Sequence, residues 1–264
     1  RAAGDEVVAI DADELDITDA DAVRETVTRL EPEVVVNCAA MTAVDDCESR
    51  AEAALAVNGT AVTWIARACA DVGARLVQIS TDYVFDGDKP TPYVEDDVPN
   101  PRSVYGRTKL AGERAALDIG GLVVRTSWVC GFHGANMVKT VRRLVAEGRP
   151  MSFVDDQIGH PTFTSDLAPM IHCLAIDARS GVFHVTNEGA VSWYAFVCEI
   201  VRLMGHDPAV VRAITTAELS PPRPAQRPKN SVLANAALAA AGYAPMRDFR
   251  EPLAELLQQL SLAR

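Results

Sequence analysis

The sequence predicts an α/β protein built on a doubly wound parallel sheet, with a smaller C-terminal α/β lobe. Three observations predict it. Short apolar strands alternate with longer amphipathic segments through the first half of the chain, which is the rhythm of βαβ units. Val34-Val35-Val36 is a continuous β-branched run, the pattern of a strand covered on both faces. The 264 residues are 48% hydrophobic and 23% charged, the balance of an ordinary globular chain and not of a disordered tail or a disulfide-stapled miniature.

Taken in order, Val7-Val8-Ala9-Ile10 reads as the first strand, and the few residues before it read as the end of a helix. Apolar residues at Ala22, Val23, Val27 and Leu30 recur at helical spacing, predicting a helix over 19–30 with Thr18 as N-cap and Glu31-Pro32 as its stop. After the valine strand, residues 52–72 read as one long helix closed by Gly73. A strand over 76–80, a helix over 105–117 and a strand over 122–129 continue the alternation. In the second half, strands at 151–154 and 181–186 alternate with helices near 165–178 and 192–204. Pro221-Pro222-Arg223-Pro224 predicts a rigid extended loop, and a helix over 249–260 ends the pattern. Right-handed crossovers bring the carboxyl ends of the strands to one edge, where ligands of open α/β sheets bind.

Composition excludes several classes of function. Lys and Arg number 25 against 36 Asp and Glu, a net charge of −11 with no local basic patch, which disfavours a nucleic-acid partner. No apolar stretch approaches the roughly 18 residues of a membrane span. The six cysteines (Cys38, Cys47, Cys69, Cys130, Cys173, Cys198) form no C-x-x-C pair and no metal-ligand spacing, so they read as buried reduced thiols of a cytoplasmic protein. The histidines His133, His160, His172, His184 and His206 show no ligand spacing either and read as structural or surface residues. Glu95-Asp96-Asp97 reads as solvated loop.

Chemistry concentrates in three places. Tyr105-Gly-Arg-Thr-Lys109 puts a phenol and an ammonium at i and i+4, on one face of a helix. The ammonium would favour phenolate and bring the tyrosine towards the range useful for proton transfer at neutral pH. Such pairs also occur on solvated faces, so the neighbours decide. Ser80-Thr81-Asp82-Tyr83-Val84-Phe85 follows a strand directly, and Thr81 there can hydrogen-bond a carbonyl oxygen that the tyrosine protonates; the plainer reading is a turn that closes the strand. Asn37-Cys-Ala-Ala-Met-Thr42 also follows a strand, and its small residues let a flat ligand lie against the backbone; the plainer reading is a tight corner.

With these motifs go Leu15-Asp-Ile-Thr-Asp19, Val36-Asn-Cys-Ala-Ala-Met-Thr-Ala-Val-Asp45, Ser80-Thr-Asp-Tyr-Val-Phe-Asp-Gly87, Val104-Tyr-Gly-Arg-Thr-Lys-Leu-Ala-Gly-Glu113, Arg125-Thr-Ser-Trp-Val129, Asp156-Gln-Ile-Gly-His-Pro-Thr162 and Arg227-Pro-Lys-Asn-Ser231. On this set the chain resembles the dTDP-4-dehydrorhamnose reductase family of extended short-chain dehydrogenase/reductases. The resemblance implies a Rossmann-type doubly wound parallel sheet with a smaller C-terminal substrate lobe. It implies a dinucleotide-binding domain over 1–128 and a mainly substrate-binding lobe over 129–264, with some segments returning to the sheet. The implied activity is NAD(P)H-dependent reduction of the C4 keto group of a dTDP-4-keto-6-deoxy sugar, dTDP-4-dehydro-L-rhamnose to dTDP-L-rhamnose.

The resemblance also implies roles. Tyr105 would be the proton donor, with Lys109 lowering its pKa and holding the nicotinamide ribose, Thr81 polarising the C4 carbonyl and Asn58 supporting the lysine through water. Asp11 would contact the adenosine ribose, Asp16 and Ile17 the adenine, and Ala39, Ala40, Met41 and Thr42 the middle of the cofactor. Thr81, Asp82, Tyr83 and Trp128 would face the substrate, and the Arg227 fork would suit its diphosphate. Asp11 favours a free ribose 2′-hydroxyl, as in NADH, whereas the family implies NADPH first, or either. Family members holding Mg²⁺ at a dimer contact leave a magnesium and a homodimer open, but no residue here can be assigned as a metal ligand.

The chain departs from the family pattern in one large respect. The pattern opens on a strand and a G-x-x-G-x-x-G loop whose amides bind the pyrophosphate, and that first βα unit is missing from this sequence. The expectation is a chain cut from a longer protein. Gly131-Phe-His-Gly134 reads as a substrate-side turn and not as the missing loop, and Met41 replaces the family's usual aromatic or His. Two alternatives follow. One is a 4-ketoreductase for another dTDP-deoxysugar. The other is a non-catalytic nucleotide-sugar-binding or regulatory subunit, which intact Thr81, Tyr105 and Lys109 oppose and the absent glycine loop favours.

Overall fold

A computed structural model describes residues 4–263. The central sheet has four parallel strands in the order Val34–Asn37, Arg75–Thr81, Leu122–Thr126, Gly181–His184. Side chains alternate across it as the pleat requires. Leu76 and Val123 point into one core with Val23, Val27, Ile65 and Cys69. Their neighbours Val77, Leu122 and Val124 point into the opposite core with Leu174, Phe183 and Val185. The helix Ala20–Leu30 precedes the first of these strands, and the helices Ala61–Val72 and Val104–Leu117 lie between strands in sequence. A third core fills the second half, where Phe163, Phe196, Ile200, Phe249 and Leu253 pack together. There Met151–Val154 pairs in parallel with Val211–Ile214, and the helices Met137–Ala146, Trp193–Leu203 and Arg250–Leu262 surround it.

Several expectations need correction. Val7–Ile10 is not a strand: it is irregular, with Val7, Val8 and Ile10 all exposed. No strand among the described residues pairs with it, and a lone strand has no ladder for its backbone groups. The helix end expected before it falls largely on residues 1–3, outside the described residues. Val34–Asn37 is an edge strand with Val36 45% exposed, so the valine run is not covered on both faces. The helix Ala20–Leu30 is capped by Asp19, whose carboxylate accepts from the amides of Asp21 and Ala22, and not by Thr18, whose hydroxyl turns to Asp16.

The long helix expected over 52–72 is interrupted. Ala51–Leu55 and Ala61–Val72 are α-helical, but Ala56–Thr60 between them is a π turn. Gly73 ends it in the left-handed conformation, φ 74°, as predicted. The strand over 122–129 splits at Trp128, whose φ of 46° turns the chain so that Val129–Cys130 pairs instead with Thr162–Phe163. All six cysteines are free, but Cys38 and Cys173 are exposed, Cys38 because it lies beyond the end of an edge strand. Glu95 is not solvated loop: its Oε1 accepts from the amides of His184 and Ala237 at 3.0 and 3.1 Å. Among the described residues no helix is long and apolar enough to cross a membrane.

Candidate active site

Thr81 ends the strand Arg75–Thr81 and at once caps the 3₁₀ turn Asp82–Val84, its Oγ1 accepting from the Tyr83 amide at 3.2 Å. The turn-closing role and a chemical role are therefore not exclusive. Thr81 and Asp82 are buried, and Thr81 Oγ1 donates to Asp82 Oδ1 at 2.9 Å. Burial pushes the Asp82 carboxyl up to about 6, against hydrogen bonds from Ser231 and Thr81 that favour its ionised form. Asp82 is thus joined to Thr81, and its Oδ2 has no hydrogen-bond partner among the described residues.

Val104–Leu117 is capped by Ser103, whose Oγ accepts from Gly106, while Glu48 accepts from the Val104 amide at 2.7 Å. The helix comes very close to its neighbours. A Cβ on Gly106 would stand 2.1 Å from the Tyr83 carbonyl oxygen, and one on Gly112 2.3 Å from that of Asn58. This approach buries Tyr105 and Lys109 against the end of the sheet, with the Tyr105 ring edge-on to Tyr83 at 5.8 Å.

The expectation that Lys109 lowers the Tyr105 pKa is not how these groups stand. Lys109 Nζ donates to the Ile79 carbonyl oxygen at 2.6 Å instead of turning to the phenol. Burial holds the Tyr105 phenol well above its ordinary value, with a Thr81 hydrogen bond working the other way. Burial also draws Lys109 down to about 8, opposed by the nearby Glu113 and Cys38. Desolvation outweighs the i,i+4 pairing because both groups are inside.

Asn58 sits on the π turn, a kind of insertion that recurs at functional sites, and is buried. Its Oδ1 accepts from the Met41 amide at 2.8 Å, and its Nδ2 donates to the Met41 carbonyl and the Thr108 hydroxyl, both at 3.1 Å. It makes no hydrogen bond to Lys109; it ties the 37–42 loop to the helix that carries Tyr105 and Lys109. In that loop Asn37 is locked to Gln78 Oε1 at 2.8 Å, Ala39 and Thr42 are exposed, and Ala40 and Met41 are half-buried. Small side chains open at the strand end, beside a buried ammonium and phenol, fit the ribose and nicotinamide end of a dinucleotide. The described residues contain no glycine-rich turn to cradle a pyrophosphate.

The remaining expected residues are scattered over different tasks. Asp11 accepts from the Asp13 amide at 2.9 Å, Asp16 from the Thr18 amide and hydroxyl at 2.9 and 2.7 Å, and Ile17 packs against the core. Among the described residues no hydrogen bond or ion pair joins these three to Lys109, whose Nζ is on the Ile79 carbonyl. Trp128 is half-buried and stacked on Trp193, centroids 3.6 Å apart and planes within 12°. Arg227 is engaged by Asp45, through Nη1 to Oδ1 at 2.9 Å and Nη2 to Oδ2 at 2.8 Å. Asp45, Glu113 and Ser231 were not singled out in the sequence. Asp45 and Glu113 end two of the motifs above and Ser231 closes a third, but nothing local marks what they meet. Among the described residues no cluster of three or more His, Cys, Asp or Glu side chains is placed to hold a metal ion, and magnesium finds no support.

Over residues 1–262 the chain matches the family described as RmlD substrate binding domain. It is 47% identical over 260 residues to dTDP-4-dehydrorhamnose reductase of Streptomyces griseus, covering 96% of this chain and 85% of that protein. It is 41% identical over 264 residues to dTDP-4-keto-6-deoxy-D-glucose reductase of Streptomyces niveus, covering 99% and 91%. Among solved structures, dTDP-4-dehydrorhamnose reductase from Bacillus anthracis in complex with NADP is similar with a TM-score of 0.94 and 36% identity, covering 98% of this chain and 92% of that one.

Proposed function

The chain belongs to the RmlD substrate binding domain family, and from that premise we propose that it reduces the C4 keto group of a dTDP-4-keto-6-deoxy sugar, dTDP-4-dehydro-L-rhamnose to dTDP-L-rhamnose. The observation that carries this reading is the gathering of Thr81, Tyr105 and Lys109 at one strand end, all three buried. A nicotinamide cofactor, when bound, supplies hydride to C4. As negative charge develops on the C4 oxygen, the Tyr105 hydroxyl gives it a proton, and the carbonyl becomes an alcohol. Burial suits Tyr105 to this direction of reaction, because it holds the phenol protonated until a stronger base forms beside it. Lys109, released from the Ile79 carbonyl, stabilises the phenolate that remains. Thr81 donates to the same oxygen.

Ala39, Ala40, Met41 and Thr42 would hold the cofactor's central part, Lys109 its nicotinamide ribose, and Asp11, Asp16 and Ile17 its adenosine end. NADPH is the first choice and NADH the second, supported by the Bacillus anthracis relative in complex with NADP. Trp128 and Tyr83 would wall the sugar, with Asp82 joined to Thr81 and Arg227 towards the diphosphate. A second reading is reduction to another dTDP-deoxysugar, which the Streptomyces niveus relative favours by its name. The side chains at this edge meet a ketone and say little about the configuration of the sugar.

The test is incubation of the full chain with dTDP-4-dehydro-L-rhamnose and NADPH or NADH. Consumption of reduced cofactor and formation of dTDP-L-rhamnose are expected, and their absence with both cofactors overturns the proposal. Tyr105→Phe should abolish turnover with the fold retained. An NMR spectrum of the product separates the two sugar readings.

A further inference from the structure

Asp82 is the least explained group at this site. It is 2% exposed, its Oδ1 accepts from the Thr81 hydroxyl at 2.9 Å, and its Oδ2 has no hydrogen-bond partner among the described residues. The Ser231 hydroxyl acts on this carboxyl but also stands 3.3 Å from the Ile158 carbonyl oxygen. A buried polar atom without a partner is costly and calls for a specific explanation.

The Thr81 hydroxyl has one proton and two lone pairs. One lone pair already takes the Tyr83 amide. With Asp82 ionised, the Thr81 proton goes to Asp82 at 2.9 Å. The Thr81 donor is then turned away from a substrate. With Asp82 neutral, its O–H fills the second lone pair of Thr81. The Thr81 proton is then left for a carbonyl oxygen, which can only accept.

We infer that Asp82 is a positioning residue that sets the direction of the Thr81 hydroxyl: neutral, it donates to Thr81 Oγ1 and releases the Thr81 proton towards the substrate; ionised, it withdraws it. This rests on the proposed roles of Thr81 and Tyr105. The groups that face Asp82 are Tyr83 from its own turn, Tyr105 from the helix Val104–Leu117, and Ser231 from the C-terminal segment. Arg227, from that same segment, is paired with Asp45 and acts on Tyr83. No cation is paired with Asp82 among the described residues, and the hydroxyls and amides around it offset only part of the burial that holds it up to about 6. A substrate covering the strand end removes more water and moves that value upward.

The experiment is kcat against pH for the wild type, Asp82→Asn and Asp82→Leu. In the wild type kcat should fall about tenfold per pH unit above a single inflection at or above pH 6, since kcat reports the enzyme–substrate complex. Asn presents a permanent N–H donor to Thr81, so its kcat should lose the inflection. Leu can neither donate nor accept, so its kcat should drop by at least about tenfold with KM changed less than threefold, the mark of an interaction made in the transition state. Asp82→Asn that keeps the wild-type inflection, or Leu that behaves as Asn does, overturns the inference. Should a variant fail to fold, the ¹³C carboxyl shift of Asp82 in the wild type decides. A titration in step with kcat supports the inference, and one near the ordinary carboxylate value of 3.8 overturns it. If Tyr105→Phe keeps turnover, the proposed function falls. If Tyr105→Phe is dead while Asp82→Asn keeps the inflection, only this inference falls.

Discussion

Arg227 and Asp45 form a two-pronged ion pair, with both guanidinium ends on both carboxylate oxygens at 2.9 and 2.8 Å. The Ala225 amide adds a bond to Asp45 Oδ1 at 3.1 Å, and Arg223 reaches Oδ2 at 3.2 Å. The Arg227 hydrogen bond chiefly holds the Asp45 carboxyl down to about 2, so the pair is ionised at every working pH. A loop from the C-terminal half is thereby fastened to the helix Val44–Ser49. The planar fork of Arg227 is kept in a single geometry beside Tyr83.

A guanidinium held in place loses less freedom when it meets a diphosphate. Asp45→Asn should therefore raise KM for the dTDP-sugar about tenfold while kcat changes less than threefold. Steady-state kinetics with the sugar varied will show it. A fall in KM would mean that Asp45 competes with the ligand for Arg227 and does not prepare it.

Glu113 and Arg125 form the most deeply buried ion pair of the site, with side chains 1% and 4% exposed. Nε and Nη2 of Arg125 meet the two Glu113 oxygens at 2.9 and 2.8 Å, and Ser80 donates to Oε1 at 2.5 Å. The Arg125 guanidinium also lies 5.1 Å from the centre of the Phe85 ring. Three segments that frame the active site are joined in this way. Removing one partner leaves an uncompensated buried charge, so Glu113→Ala should cost about 3–5 kcal/mol. Replacing both with apolar residues, Glu113→Leu with Arg125→Met, should cost less than either single change. Urea unfolding of the three variants checks this, and an unchanged midpoint for Glu113→Ala would refute it.

The local features of the site were legible in the sequence, and the distant ones were not. Tyr105 and Lys109 share a helix face, and Thr81 ends a strand, because both relations follow from spacing within a single element. The hydrogen bond from Lys109 to Ile79, 30 residues away, follows from tertiary packing and cannot be read from that spacing. Arg227 meets Asp45 across 182 residues, which no periodicity carries. The π turn at Ala56–Thr60 lies inside a run that reads as one helix, so Asn58 could be marked as important while its partners could not. Val7–Ile10 has the composition of a strand, but a strand exists only with a neighbour to pair with.

Gly106 and Gly112 give a prediction against the usual rule. In a helix interior Gly→Ala ordinarily stabilises by about 1 kcal/mol. Here the added methyl would stand 2.1 Å from the Tyr83 carbonyl oxygen or 2.3 Å from that of Asn58, and both obstacles are backbone atoms that cannot rotate away. Either substitution should destabilise by about 1–3 kcal/mol, as overpacking does. Gly106→Ala should also lower kcat more than Gly112→Ala, because it adjoins Tyr105 and pushes on the turn that follows Thr81. Thermal melts and kcat on the two variants measure both effects. A raised Tm for either would show that the helix can move outward freely.

Two buried imidazoles should make the fold sensitive to acid, and Asp82 should oppose them. Burial, with Arg125 adding repulsion, depresses His184 to about 3, and burial depresses His160 to about 4, against 6.5 for an ordinary histidine. His184 stays neutral beside the Ala234 carbonyl at 3.0 Å, and His160 beside the Thr186 hydroxyl at 3.0 Å. Below pH 6.5 the unfolded chain takes two protons that the folded chain refuses, so their stabilisation is present above 6.5 and is lost as pH falls towards 4 and 3. The carboxyl of Asp82 is shifted the other way, about 6 folded against 3.8 unfolded, so the folded chain gains one proton as pH falls through 6. From pH 6 to about 4.5 these three groups together contribute a net difference of one proton, a loss of about 1.4 kcal/mol per pH unit, and carboxylates held down by ion pairs, such as Asp45, add to it at the acid end. His184→Gln should lessen the wild-type slope by about 1.4 kcal/mol per pH unit, and Asp82→Asn should steepen it by about as much. Stabilities from urea unfolding at pH 6, 5.5, 5 and 4.5 give the three slopes. If His184→Gln leaves the wild-type slope unchanged, His184 is not the group whose proton is refused.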